Sequence, residues 1–247
     1  MATQKKALTW VVPIVVILIA VALISYILGQ QQGSDAGEPD LADTATNAPV
    51  HGPNPPSSVQ QPATPDYATL ERLDPQDPLA LGSIDAPVVL VGFSDYQCQF
   101  CARWSGETLP ELQPYVDAGQ LRIEWYDISL FGEDSQRAAL AAYAAGQQGK
   151  FWEYHERLFV GGDILSPAEL SEDALMAIAS DVGLDVDQFT ADISSAEVSQ
   201  AVEANMNTAL EFGVFSTPSF TVNGQPIVGA QPAPVFIDAV ESAIAAE

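Results

Sequence analysis

Pro87-Val88-Val89-Leu90-Val91-Gly92-Phe93-Ser94-Asp95-Tyr96-Gln97-Cys98-Gln99-Phe100-Cys101 decides how this chain of 247 residues is read. Val88 to Phe93 is a short, near-continuous apolar run, the pattern of a central strand covered on both faces. A helix-like stretch follows, so Cys98 stands where a strand hands over to a helix. Unpaired backbone N–H groups and the helix dipole favour a thiolate there, the form that attacks disulfides. Cys101, one turn on, can close the ring and release a trapped partner. The chain has two cysteines in all. Zinc wants four ligands, and the two histidines lie elsewhere, His51 in a polar stretch and His155 within a helix-like one. A static disulfide across so small a ring would contribute little stability. The pair reads as redox-active.

Downstream, Leu121-Arg122-Ile123-Glu124-Trp125-Tyr126 alternates and predicts a second strand. Pro110 predicts a kink or restart in the helix between the two strands. From about Glu133 to Gly213 the apolar spacing is helical, broken at Gly161-Gly162, Gly183 and Gly213. Ser166-Pro167-Ala168-Glu169 and Ser171-Glu172-Asp173-Ala174 resemble helix starts. Ser219 to Val222, then Asn223-Gly224, then Gln225 to Val228 is a hairpin signal, with Pro226 expected on an edge strand. Ala233 to Ala246 predicts a closing helix. His155, among Phe151, Trp152, Tyr154 and Phe159, is expected to serve helix packing or the surface, and Trp104, Trp125 and Trp152 the core. Strand, C-x-x-C helix, strand, helical block, hairpin and final helix is the order of an α/β thioredoxin fold with a helical insertion.

Upstream, Ala7 to Gly29 is an uncharged apolar run preceded by Lys5 and Lys6. About 20 apolar residues cross a bilayer as a helix, longer than the core of a cleaved signal. The expectation is a transmembrane anchor over 7–29. Residues 1–6 would be cytoplasmic and everything beyond residue 30 exported, because basic residues stay inside. Residues 30–75, rich in proline and polar side chains, read as a flexible extracytoplasmic linker spanning roughly 35–40 Å. The folded domain is expected over 76–247, with the insertion at about 133–213. The formal charge is −25. Such a surface repels phosphate backbones, which argues against nucleic-acid binding and leaves the anchor as the membrane contact.

Phe93 to Cys101, together with Ser216-Thr217-Pro218-Ser219-Phe220 and Val222-Asn223-Gly224, resembles DsbA-like thiol–disulfide oxidoreductases. It is most similar to the membrane-anchored extracytoplasmic type of Gram-positive, especially actinobacterial, bacteria. The resemblance covers about residues 76–247. It implies a cis bond before Pro218, with Thr217 presenting backbone to a bound substrate peptide beside Cys98. It further implies that Cys98 is an exposed nucleophile and Cys101 its buried partner, joined as a redox disulfide. Phe100, between the cysteines, is expected to be exposed and to touch substrate.

Two features depart from the family pattern. Many members carry a buried acid six before the first cysteine, where this chain has Gly92. Asp95 is then either a substitute proton relay or a solvated or capping residue. Strongly oxidising members have Pro-His between the cysteines, whereas Gln99-Phe100 supplies no cation, so a less oxidising potential is expected. The function implied is a membrane-anchored extracytoplasmic oxidase that introduces disulfides into exported proteins and works without a cofactor. A membrane quinone-linked protein of the DsbB or vitamin K epoxide reductase type would re-oxidise it. The alternatives are a thiol reductase, for instance in cytochrome maturation, and a redox-insensitive chaperone or binding module. A monomer is expected, since isomerases of this superfamily dimerise through an added N-terminal domain and only a linker stands here.

Overall fold

Strand β1 (Val88–Ser94) is buried along its whole length. It pairs in parallel with β2 (Leu121–Asp127), Gly92 facing Trp125 and Ser94 facing Asp127. On its other side it pairs antiparallel with β3 (Ser219–Val222), which continues into β4 (Gln225–Val228). The sheet order is β2-β1-β3-β4, so β4 is an edge and tolerates Pro226. A central strand needs two apolar faces. Val88 and Leu90 point into the main core, while Val89, Val91 and Phe93 join Leu70, Tyr126, Ile128 and Ala209 on the far side.

The computed structural model describes residues 65–246. The expected cytoplasmic stretch 1–6, the anchor at 7–29 and the linker up to residue 64 lie outside the described residues. No helix among the described residues is long and apolar enough to cross a membrane.

Helices α1 (Gln99–Glu107) and α2 (Leu109–Asp117) make the crossover from β1 to β2. The break falls at Thr108, and Pro110 stands in the first turn of α2, where its missing N–H costs nothing. The insertion comprises α3 (Glu133–Gln147), α4 (Phe151–Leu158), α5 (Glu172–Asp181), α6 (Val186–Ile193) and α7 (Ala196–Glu211). Ser171 caps α5 through the Ala174 N–H. Ser166 starts only a turn, closed by Glu169 Oε2 accepting from the Ser166 N–H at 2.9 Å and its hydroxyl at 2.6 Å. Helix α8 (Ala233–Ile244) closes the chain. Trp104 ties four elements together: its ring lies 5.4 Å from Trp125, 4.5 Å from Phe220 and 5.6 Å from Phe236. A fully buried large apolar side chain contributes about 1.5–3 kcal/mol.

Two expectations change. Strand β2 does not alternate between core and solvent, because all seven of its residues are buried. Arg122 Nε donates to Glu124 Oε1 at 2.7 Å, and Arg122 Nη2 donates to the Asp74 carbonyl at 2.7 Å. Glu124 also accepts from the Arg72 and Leu73 N–H groups at 2.6 and 3.0 Å. The buried ion pair is covered by a segment expected to be linker. The ordered body therefore reaches N-terminal of residue 76, to a 3-10 turn at Tyr67–Leu70 whose Leu70 is buried.

Candidate functional site

Cys98 is the N-cap residue of α1, in extended backbone geometry (φ −95°, ψ 111°). The N–H groups of Cys101 and Ala102 donate to its carbonyl at 3.0 and 3.1 Å, which starts the helix. Across from it the Thr217–Pro218 bond is cis. Cys98 Sγ lies 3.3 Å from the Thr217 carbonyl oxygen. The Pro218 carbonyl is held in turn by the Gly229 N–H at 3.0 Å. Both cysteines are free thiols.

Cys98 is 4% exposed and Cys101 1%. The expected exposed nucleophile is instead covered, because the Thr217 carbonyl sits over it. Covering does not silence it. The Cys101 thiol, donating to Cys98, is the largest cause that lowers the Cys98 pKa to about 6; the Thr217 side chain and the Cys101 and Phe100 N–H groups add to this, while burial opposes it. Burial, then the bond to Cys98, pushes the Cys101 thiol far up. As a thiol Cys98 donates to the Thr217 carbonyl; as a thiolate it can take the Thr217 hydroxyl instead, which is buried with no other partner. One sulfur is poised to attack and the other held protonated.

Of the dipeptide between them, Gln99 is tied back to the Gly162 carbonyl at 3.1 Å and Asp163 Oδ1 at 3.0 Å. Phe100 is 57% exposed, with the Arg103 guanidinium 5.6 Å from its ring centre.

Asp95 serves as an anchor. Its carboxylate is fully buried and accepts from the Gln97, Leu130 and Phe131 N–H groups at 2.8, 2.6 and 3.2 Å and from the Ser135 hydroxyl at 2.6 Å. Those bonds fasten the loop after β2 and the start of α3 to the C-x-x-C turn, and leave no lone pair to spare. Gly92 has an equally physical explanation: a Cβ there would sit 2.4 Å from Trp125 Cζ3. The indole occupies the space an acid at position 92 would need.

Sequence reasoning missed a buried polar line beside the pair. Trp125 Nε1 donates to Asp127 Oδ1 at 3.0 Å, and the Tyr96 hydroxyl donates to Asp127 Oδ2 at 3.1 Å. Tyr96 Oη also lies 2.9 Å from His155 Nδ1, and His155 Nε2 lies 3.0 Å from Ser105 Oγ. Burial raises the Asp127 carboxyl well above the usual range and lowers the His155 pKa to about 3, so the imidazole is neutral. The one available signal was Asp127 directly after the predicted strand Leu121 to Tyr126. A cavity of about 690 Å³ opens where this line reaches Ser105, and neither cysteine lines it.

A strand, an N-terminal helical thiolate, a buried partner sulfur and, over the nucleophile, the carbonyl of the residue before a cis-proline now stand together. The thioredoxin family model matches residues 74–243. The chain is a DsbA-like member of the thioredoxin superfamily. It is a thiol–disulfide oxidoreductase. Among curated relatives, the probable disulfide bond formation protein D of Bacillus cereus is 31% identical over 150 residues, 59% of this chain and 69% of that protein. A solved thioredoxin-like oxidoreductase from Silicibacter pomeroyi is 32% identical, with a TM-score of 0.59 over 74% of this chain and 98% of that one. BdbD from Bacillus subtilis, at 22% identity, shares the fold with a TM-score of 0.62 over 68% of this chain and 92% of its own.

Proposed function

We propose that this oxidoreductase works as a dithiol oxidase, introducing disulfides into exported proteins on the outer side of the membrane. The observation that carries the direction is the stabilised Cys98 thiolate. Whatever holds the reduced form at low energy makes the disulfide a stronger oxidant. A Cys98 pKa of about 6 falls between about 3.5 for DsbA and about 7 for thioredoxin. Hydrogen bonds from Cys101 and Thr217 here replace the missing cation of the dipeptide.

In each cycle a substrate thiolate attacks Cys98 Sγ of the disulfide, and Cys101 leaves and takes a proton. A second substrate thiolate attacks the substrate sulfur of the mixed disulfide, and Cys98 leaves as thiolate. Two electrons pass to the pair, and a membrane quinone-linked protein of the DsbB or vitamin K epoxide reductase type accepts them. The apolar run at 7–29 supports a single-pass anchor with the catalytic domain extracytoplasmic. Phe100, Thr217 and Pro218 are the proposed substrate contacts.

Equilibration with glutathione buffers tests the direction: the potential is expected between about −270 and −120 mV, the values of thioredoxin and DsbA. Alkylation trapping in intact cells should find the pair mostly as disulfide. A mostly dithiol pool would make the protein a reductase, and a Cys98→Ser protein with full activity would remove the enzymatic reading.

A further inference from the structure

Arg103 is singular among the described residues. The described residues hold six basic side chains, and five are paired with acids: Arg72 with Asp77, Arg122 with Glu124, Arg137 with Asp134, Lys150 with Glu153 and Arg157 with Asp181. Arg103 has no acid partner among the described residues. It is exposed on α1, five residues after Cys98, beside the exposed ring of Phe100.

It also lines a pocket of about 360 Å³ between α1 and the loop that follows β4. Three further features give this pocket the character of an anion site. Ala233, at the start of the 12-residue α8, lines it, and that N-terminus has no side-chain cap and no acid in its first turn. In this turn Pro232 and Pro234 have no N–H and the Val235 N–H donates to the Pro232 carbonyl at 3.0 Å, so Ala233 supplies the one N–H at the positive end of the helix dipole. Trp104 lines it as well, 1% exposed, with its indole N–H buried and without an acceptor. The loop is continuous with the cis-proline, through the Gly229 N–H on the Pro218 carbonyl. One carboxylate, Glu107, faces the same pocket and opposes the others.

We propose that this pocket takes a carboxylate side chain of the polypeptide whose cysteine is joined to Cys98, with Arg103 as its cation. The inference rests on the oxidase reading and adds a substrate preference to it. The geometry sets the register. Five helical residues rise about 7.5 Å along α1, and an extended chain covers that in two to three residues. The preferred substrates therefore carry Asp or Glu two or three positions from the reacting cysteine. A guanidinium binds a carboxylate with two parallel hydrogen bonds. Elsewhere the surface of a chain with net charge −25 repels acidic segments, so one uncompensated cation has an outsized say in how they lie.

The experiment measures attack by single-cysteine peptides on the oxidised full-length protein. The peptides differ only in Asp, Asn or Lys placed two or three residues to either side of the cysteine. Comparing each peptide between proteins cancels its own thiol reactivity. In the wild type the Asp:Asn rate ratio is expected to exceed that of Arg103→Gln by roughly two- to fivefold, the range of an exposed ion pair. Arg103→Lys should recover part of it, Glu107→Gln should increase it, and added salt should shrink it. Equal ratios in wild type and Arg103→Gln overturn the inference while leaving the oxidase reading in place. No exchange with any peptide overturns both.

Discussion

Replacing Cys101 by alanine should raise the pKa of its neighbour, and the size of the effect can be worked out beforehand. The Cys101 thiol is the leading cause of a Cys98 pKa near 6, against 9.0 for an ordinary cysteine. At pH 7 that makes Cys98 roughly nine-tenths thiolate, where the ordinary thiol is roughly one-hundredth ionised. Nucleophilicity falls with pKa along a Brønsted slope of about 0.4–0.5, which over this interval removes roughly twentyfold. The net advantage is about fourfold at pH 7 and about fortyfold at pH 5. Acidic solution is therefore where the site should stand out.

The assay is iodoacetamide alkylation of the reduced protein, read by mass spectrometry across pH. The wild-type midpoint is expected near 6. Cys101→Ala, which removes the donor, should move it upward, and Cys101→Ser, which keeps a hydroxyl donor, should move it less. A wild-type midpoint at or above pH 8, or one indifferent to Cys101→Ala, would refute the reasoning. The linkage has a definite sign. The folded-state pKa is depressed, so the reduced protein gains stability as pH rises from about 6 towards 9 and loses it as pH falls through about 6.

Gly92→Ala should cost about 1–3 kcal/mol by overpacking, because its methyl would meet a rigid, stacked indole. Thermal unfolding checks this, and the cost should shrink in a Trp125→Phe background; an equal cost in both would show that the clash is not the cause. Asp95→Asn should lose about 1.5–3 kcal/mol, because its amide nitrogen cannot accept and leaves the two donors on one former carboxylate oxygen without an acceptor, while the Cys98 alkylation midpoint stays in place. Unchanged stability with a displaced midpoint would instead make Asp95 a relay.

What could be read from the sequence was what neighbours in the chain decide. The hairpin falls at Ser219–Val222 and Gln225–Val228 because Asn223 and Gly224 both take positive φ, 43° and 73°, as a tight two-residue turn requires. Strand β1 was visible because a strand with two buried faces carries no polar residue from Val88 to Phe93. The misreadings all depend on partners far away in sequence. Arg122 and Glu124 look like the wet face of a strand until the segment around Arg72, some fifty positions earlier, is laid over them. Asp95 looks free until Leu130, Phe131 and Ser135 supply its donors. His155 does lie in helix packing, as expected, among Phe151, Trp152 and Phe159, but nothing local showed that Tyr96 and Ser105 would hold both ring nitrogens.

The Thr217 carbonyl above Cys98 has a consequence in time. With Cys98 only 4% exposed beneath that backbone, the oxidase reading implies a client cysteine carried on a thin, extended piece of chain. A cysteine already packed into a finished domain cannot present itself in that way. On that reading the site is expected to discriminate by the age of its client, reacting with chains still threading and unfolded and losing its grip as they mature.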